Sequence, residues 1–382
     1  MMPSGRLSLE TSFHLGWKWI KFTGLHPDLL LISVQQHRAT AVARYLFTLF
    51  ILLLSLAYGV FELIQLFIEI WSAEKMVDAV PNLIFANYII IIIACQYIIW
   101  AHRGEISELF NDWKQVEMQS KSINLTAIRK VINGHFIWGL IFAIIILVLM
   151  FAQNYLEPQK SYFLSYYSFV RENFDILLIC TFQSVSAGYV IIMAIIKNLY
   201  PLIFFYHAAC IVENLVEEWE AKLRREEYIR VIWRKYERIL HLVDRANKLF
   251  GSLLLMLHFY LTFNVCLMLY FSIVKYQSYT RILFTAILTT IVMTSMILTY
   301  NWVLSQLYFS TQRLQKSLAD ELSRKWYQLN EANRHLLVSF LARIDKGDMA
   351  VRPLNLFTVC PSNLLSILEA TMNYVVVLAQ SR

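Results

Sequence analysis

Glu369, Asn373 and Gln380 are spaced by four, seven and eleven residues. At about 100° per residue these spacings nearly close whole helical turns, so the three side chains fall within roughly 40° of one another on a helix. One carboxylate and two amides thus form a single polar stripe on an otherwise apolar segment, 361–382. Such a stripe facing hydrocarbon would cost several kcal/mol, so it is expected to face protein or water. Two chemistries fit. The stripe can hydrogen-bond to neighbouring helices within one bundle, or it can line a water-filled pore built from several copies, where Glu369 becomes a ring of acid that favours cations.

No other constellation competes with it. The nine histidines, at 14, 26, 37, 102, 135, 207, 241, 258 and 335, show no paired spacing of the kind that holds a metal. A Gly-rich phosphate loop and a Ser nucleophile elbow are both missing from the sequence. The expectation is a chain that is not an enzyme and that takes no metal and no cofactor.

The elements that must position the stripe follow from composition. Hydrophobic residues make up 58% of the 382, charged residues 16%, and the mean hydropathy is +0.51, which places the chain in the membrane class. Apolar runs fall near Tyr45–Trp71, Pro81–Ala101, Val131–Gln153, Phe174 to about His207, Phe250–Ile273, Ile282–Phe309 and from Pro361 onward. Each is long enough to cross about 30 Å of hydrocarbon, giving seven expected transmembrane helices in an all-α membrane protein. No cleavable signal peptide is visible in 1–40, so the first span is expected to serve as the membrane signal.

Charge sets the orientation. Five Lys or Arg lie before the first span, five in the second loop, nine in the fourth and eight in the sixth; the other side holds six, and Lys197 sits inside the fourth span. A 27 to 6 bias predicts a cytoplasmic N-terminus and an extracellular C-terminus. The net charge of +7 is therefore a topology signal, and no nucleic-acid partner is expected. Asn124 in the sequon Asn-Leu-Thr then lies in the cytosol, beyond the reach of glycosylation. None of the five cysteines falls in an expected outside loop, so no structural disulfide is expected.

The resulting division is 1–40 as a cytoplasmic segment, 41–208 as spans one to four, 209–249 as helical extensions, 250–309 as spans five and six, 310–360 as further cytoplasmic helices and 361–382 as the last span. Within the extensions, apolar stripes recur at Ile211, Leu215, Trp219 and Leu223, at Ile232, Tyr236, Ile239, Leu240 and Val243, at Leu314, Leu318, Leu322 and Trp326, and at Leu336, Leu337, Phe340 and Ile344. These predict amphipathic helices packed on one another, the alternative being helices lying on the membrane surface. Pro201 is expected to bend the fourth helix where it leaves the membrane, with Lys197 snorkelling to the same interface.

The ending "NYVVVLAQS", Asn373–Ser381, resembles the C-terminal signature of insect gustatory receptors, a Thr-Tyr pair, five hydrophobic residues, then Gln-Phe. Tyr374, the five residues from Val375 to Ala379 and Gln380 match in place, while Asn373 stands for the Thr and Ser381 for the Phe. "LNLFTVCPSNLLSIL", Leu354–Leu368, also resembles that family, with Phe357 seventeen residues before Tyr374, and "FTGLHP" is similar to a turn that precedes its first span.

The resemblance implies a tastant-gated, non-selective cation channel subunit in the plasma membrane, in the dendrites of chemosensory neurons. It implies a homo- or hetero-tetramer in membrane lipids, with a cytoplasmic anchor and the last helix of each subunit lining the path of permeating cations. The gate near the outer mouth would be Gln380 and Ser381, and the last helix is expected to stop there. Since a ring of Ser is smaller and wetter than one of Phe, Val377 or Leu378 would seal the closed pore, or partner subunits would supply the Phe. The small-molecule tastant is expected in the outer half of spans two to six, near Tyr88, Gln153, Thr181, Gln183, Ser184, Tyr270 and Thr289. An olfactory receptor channel of the same superfamily is the alternative. A G-protein-coupled receptor is disfavoured by the inside N-terminus and by the lack of Asp-Arg-Tyr and Asn-Pro-x-x-Tyr motifs, and a transporter by the odd span count without internal symmetry.

Overall fold

The computed structural model describes residues 97–119, 201–221, 227–275, 280–345 and 349–380, together with scattered positions between 46 and 95 and between 130 and 148. All regular structure among them is helical. In chain order the elements are α1 (Arg103–Gln119), α2 (201–221), α3 (Glu227–Lys275), α4 (Thr280–Lys325), α5 (Glu331–Asp345), a 3-10 turn (Pro353–Asn355) and α6 (Pro361–Gln380).

Two helices are far longer than a bilayer requires. At 1.5 Å per residue, the 49 residues of α3 extend about 73 Å and the 46 of α4 about 69 Å. Each changes character along its length. In α3 the charges end at Lys248 and the stretch from Phe250 to Ile273 holds none; in α4 the stretch from Ile282 to Phe309 holds none and the charges resume at Arg313. Tyr228–Ile273 is the one helix among the described residues with the length and hydropathy to cross a membrane.

Burial follows the same division. At the polar end the apolar side chains turn inward: Trp113 of α1, Phe204 and Val212 of α2, Tyr236 and Val243 of α3, Leu314 and Leu318 of α4 and Phe340 of α5 are each 0% exposed. They belong to one contiguous cluster within a single chain. Removing such a side chain from water contributes about 1.5–3 kcal/mol. Phe340 stacks on Trp233 at 5.4 Å and meets Tyr236 edge-on at 5.4 Å, which ties α5 to α3. The stripes on α2 to α5 thus cover one another, except that Trp326 is 40% exposed and Leu223 lies outside the described residues. Ion pairs rim this bundle: Lys235 with Glu218 at 2.6 Å, Arg343 with Glu237 at 3.1 Å, and Arg245 with Asp112 and Glu108.

At the apolar end the polarity of burial reverses. Phe67, Trp138 and Ile291 are exposed to 69%, 72% and 59%, whereas Asn264, Asn301 and His258 are buried. Apolar outside with polar inside is the arrangement that hydrocarbon demands.

Turns are built from local chemistry. The Asn330 Oδ1 accepts the Asn333 N–H at 2.8 Å and so caps α5 against the end of α4. Pro361 starts α6, where its missing N–H costs nothing. The segment Arg103–Gln119, read from sequence as part of a loop, is a 17-residue helix that buries Ile106, Leu109 and Trp113 against α2 and α3. Pro201 is helical and buried, while the stretch on its N-terminal side, where the expected bend and Lys197 fall, lies outside the described residues.

Candidate functional site

α6 packs against α3 and α4. The face that carries Glu369, Asn373 and Gln380 is exposed along its whole length, and the same face holds Ser362, Ser366 and Val377, all exposed. Among the described residues no hydrogen bond or ion pair joins Glu369, Asn373 or Gln380 to the rest of the chain. Tyr374 is also exposed, at 54%. Leu378 lies on α6 but its side chain is outside the described set, and Ser381 is beyond it. Ser362 and Ser366 were not singled out from sequence. Their spacing to Glu369, seven and three residues, places them on the stripe, and it is the spacing that could have found them.

The linker from α5 to α6 is held by polar side chains of α3, α4 and α6. On α3 the Asn247 Nδ2 donates to the Ala350 carbonyl at 2.8 Å and its Oδ1 accepts the Arg352 N–H at 2.9 Å. On α4 the Thr311 hydroxyl reaches the Met349 carbonyl at 3.3 Å. At the root of α6 the Asn363 Nδ2 donates to the Thr358 carbonyl at 2.6 Å.

Higher on α3, His258 bridges to α4. Its Nε2 lies 2.7 Å from the Asn301 Oδ1 and its Nδ1 2.7 Å from the Leu254 carbonyl, while the Asn301 Nδ2 donates to the Ile297 carbonyl at 2.9 Å. Asn87 donates to the Asn264 Oδ1 at 3.2 Å, linking the helical stretch around 87 to α3. These four polar residues sit in apolar runs, the sequence signal that marks interhelical bonding.

The expected ligand positions are not brought together among the described residues. Tyr270 is half-buried on α3; Thr289 lies on α4 with its side chain undescribed; Tyr88, Gln153, Thr181, Gln183 and Ser184 lie outside. Among the described residues, Cys95, Cys210, Cys266 and Cys360 form no disulfide. Burial pushes the Cys210 thiol up to about 12, with the Glu213 carboxylate adding to it, so it is held as the unreactive protonated form.

Residues 32–382 match the family described as "7tm Chemosensory receptor". The fold resembles the solved insect olfactory receptor OR5 of Machilis hrabei in complex with eugenol, at 17% identity and a TM-score of 0.70, over 97% of this chain and 100% of that one. A second structure of the same receptor gives 14% identity and a TM-score of 0.68, over the same shares. No curated protein sequence matches the chain significantly.

Proposed function

Because the chain belongs to the 7tm chemosensory receptor family, a family of membrane receptors and not of enzymes, we propose that it is a subunit of a ligand-gated, non-selective cation channel of the taste type. The observation that carries this reading is the stripe on α6. A helix of 20 residues that turns a carboxylate and two amides away from its own chain needs a wet or proteinaceous surface opposite. Four copies around an axis supply one, with Glu369 concentrating cations in a narrow passage of low dielectric. Gln380 lies eleven residues beyond Glu369, about 16 Å further along the axis, at the level proposed for the gate with Ser381.

The spacing of Tyr374 and Gln380 supports a taste receptor in the plasma membrane of chemosensory dendrites, opened by a small-molecule tastant. The olfactory reading is favoured by a different observation, the likeness to a solved receptor that carries eugenol. A panel of soluble tastants and volatile odorants, applied to cells expressing the chain alone or with partner subunits and read by calcium imaging, separates the two.

Whole-cell recording tests the pore itself. Glu369→Gln is expected to reduce cation conductance or calcium permeability with nearly unchanged ligand sensitivity, and Gln380→Ala to leave the channel partly open. Unchanged permeation in Glu369→Gln, together with a cysteine at 380 that external thiol reagents cannot reach, would return the stripe to a contact between helices.

The proposed orientation has its own check. A C-terminal tag is expected to stain on intact cells and an N-terminal tag only after permeabilisation. A glycan on Asn124, or C-terminal staining that requires permeabilisation, reverses the topology.

A further inference from the structure

The twelve residues 349–360, which fall between α5 and α6 in the chain, lie along α3 and end at the root of α6. They touch one side of α3 at three heights. Asn247 holds the start of the segment on either side of Val351, at Ala350 and Arg352. One turn on, Gly251 lies so near the chain that a Cβ added there would stand 2.9 Å from the Leu354 nitrogen. Two turns further, the His258 ring meets Phe357 edge-on at 5.5 Å.

The segment is both closed and strained. The Val359 N–H donates to the Val351 carbonyl at 2.9 Å and the Leu356 N–H to the Pro353 carbonyl at 3.0 Å. Between them Leu354 and Asn355 have φ of 48° and 59°, the left-handed region that side chains avoid. Leucine has no local hydrogen bond to offer in return, so the surroundings must impose this conformation. The surroundings are α3, at the one height where it has no side chain.

We propose that this linker is a clasp through which α3 and α4 set the position of α6, with Gly251 and Asn247 as its positioning residues; the proposal rests on the channel reading above. Two turns beyond the seat, His258 bonds Asn301 and so ties α3 to α4. A shift of that pair carries the seat at Gly251 with it. The strained turn cannot slide along α3 without losing the two bonds to Asn247, so it passes the displacement to Pro361 and the helix beyond.

Gly251→Ala raises the intrinsic helix propensity of α3, so any loosening of the linker has its cause at the seat. In the purified full-length protein in lipid nanodiscs, amide exchange over 351–359 is expected to quicken by about tenfold, the factor for one lost buried hydrogen bond. Exchange over 227–248 should stay unchanged. In cells, at equal surface density, the half-maximal ligand concentration or the basal current should shift by about fivefold or more. Adding Leu354→Gly, which tolerates both the positive φ and a displaced backbone, should restore both readouts towards wild type.

Asn247→Ala frees Ala350 and Arg352 without crowding and should act in the same direction, which keeps the test open if Gly251→Ala fails to reach the surface. Faster exchange in either variant with an unchanged ligand response shows that the linker is merely structural and overturns the clasp. Unchanged exchange in both variants overturns the seat itself. Absence of ligand-evoked current from wild type, alone and with partner subunits, sinks the channel reading, a failure told apart because the exchange measurement needs no current.

Discussion

Leu318→Asp is expected to leave no folded receptor at the cell surface. Leu318 is 0% exposed within a single chain, as is Leu314 one turn before it, and both belong to the cluster formed with α2, α3 and α5. Truncating a buried leucine costs about 2–5 kcal/mol. An unpaired carboxylate in its place adds several more, or else must hold a proton to avoid them. Against a total stability of about 5–15 kcal/mol, that loss removes most or all of the margin. A cytoplasmic anchor between subunits, which the family resemblance implies, would have loss of tetramers alone as its result. Burial inside one chain changes the expected result to loss of the fold. Surface biotinylation and size-exclusion chromatography check it: absence of a defined peak is the expected result, and a monodisperse, folded monomer would show that these leucines act between chains after all. Leu318→Met, which keeps the volume, should cost less than about 1.5 kcal/mol and reach the surface.

Trp113→Ala should be the most damaging single truncation in α1. Its indole is 0% exposed, tilts against Phe204 at 4.8 Å and donates its Nε1–H to the His207 Nδ1 at 2.8 Å. Loss of the ring leaves a large cavity between α1 and α2, for about 3–5 kcal/mol. Trp113→Phe separates packing from the hydrogen bond. It keeps most of the ring contact but strands the His207 Nδ1 without its donor, a cost of about 1–3 kcal/mol. The expected order of thermal midpoints in detergent is wild type, then Phe, then Ala. A Phe variant as stable as wild type would mean that the indole N–H contributes nothing and that packing alone joins the two helices.

α1 also shows what a pattern search can overlook. Ile106, Leu109, Phe110, Trp113 and Val116 recur at helical spacing, so the signal was present in the sequence. Charge counting places it in a basic loop, because its charges help to orient the chain. Charge bias and apolar periodicity coexist in one segment, since a helix can present lysines on one face while burying tryptophan on the other.

By itself the sequence determined the solvent, the helical class and the stripe on the last helix. Each depends on residue types at fixed chain separations: hydropathy summed over a window, and the 3.6-residue period that brings Glu369, Asn373 and Gln380 to one side. Partners distant along the chain followed no such rule. That His258 would bond Asn301, that Trp113 would donate to His207, and that Asn247 would hold residues 350 and 352 depend on which faces of α1 to α5 meet, and at what height. Gly251 shows the difference most directly. In the sequence it is a helix-weakening residue at the edge of an apolar run, and nothing near it in the chain accounts for it. Only the packed chain sets the Leu354 backbone where a Cβ would have to stand, because close packing forbids two atoms the same space however far apart they lie in sequence.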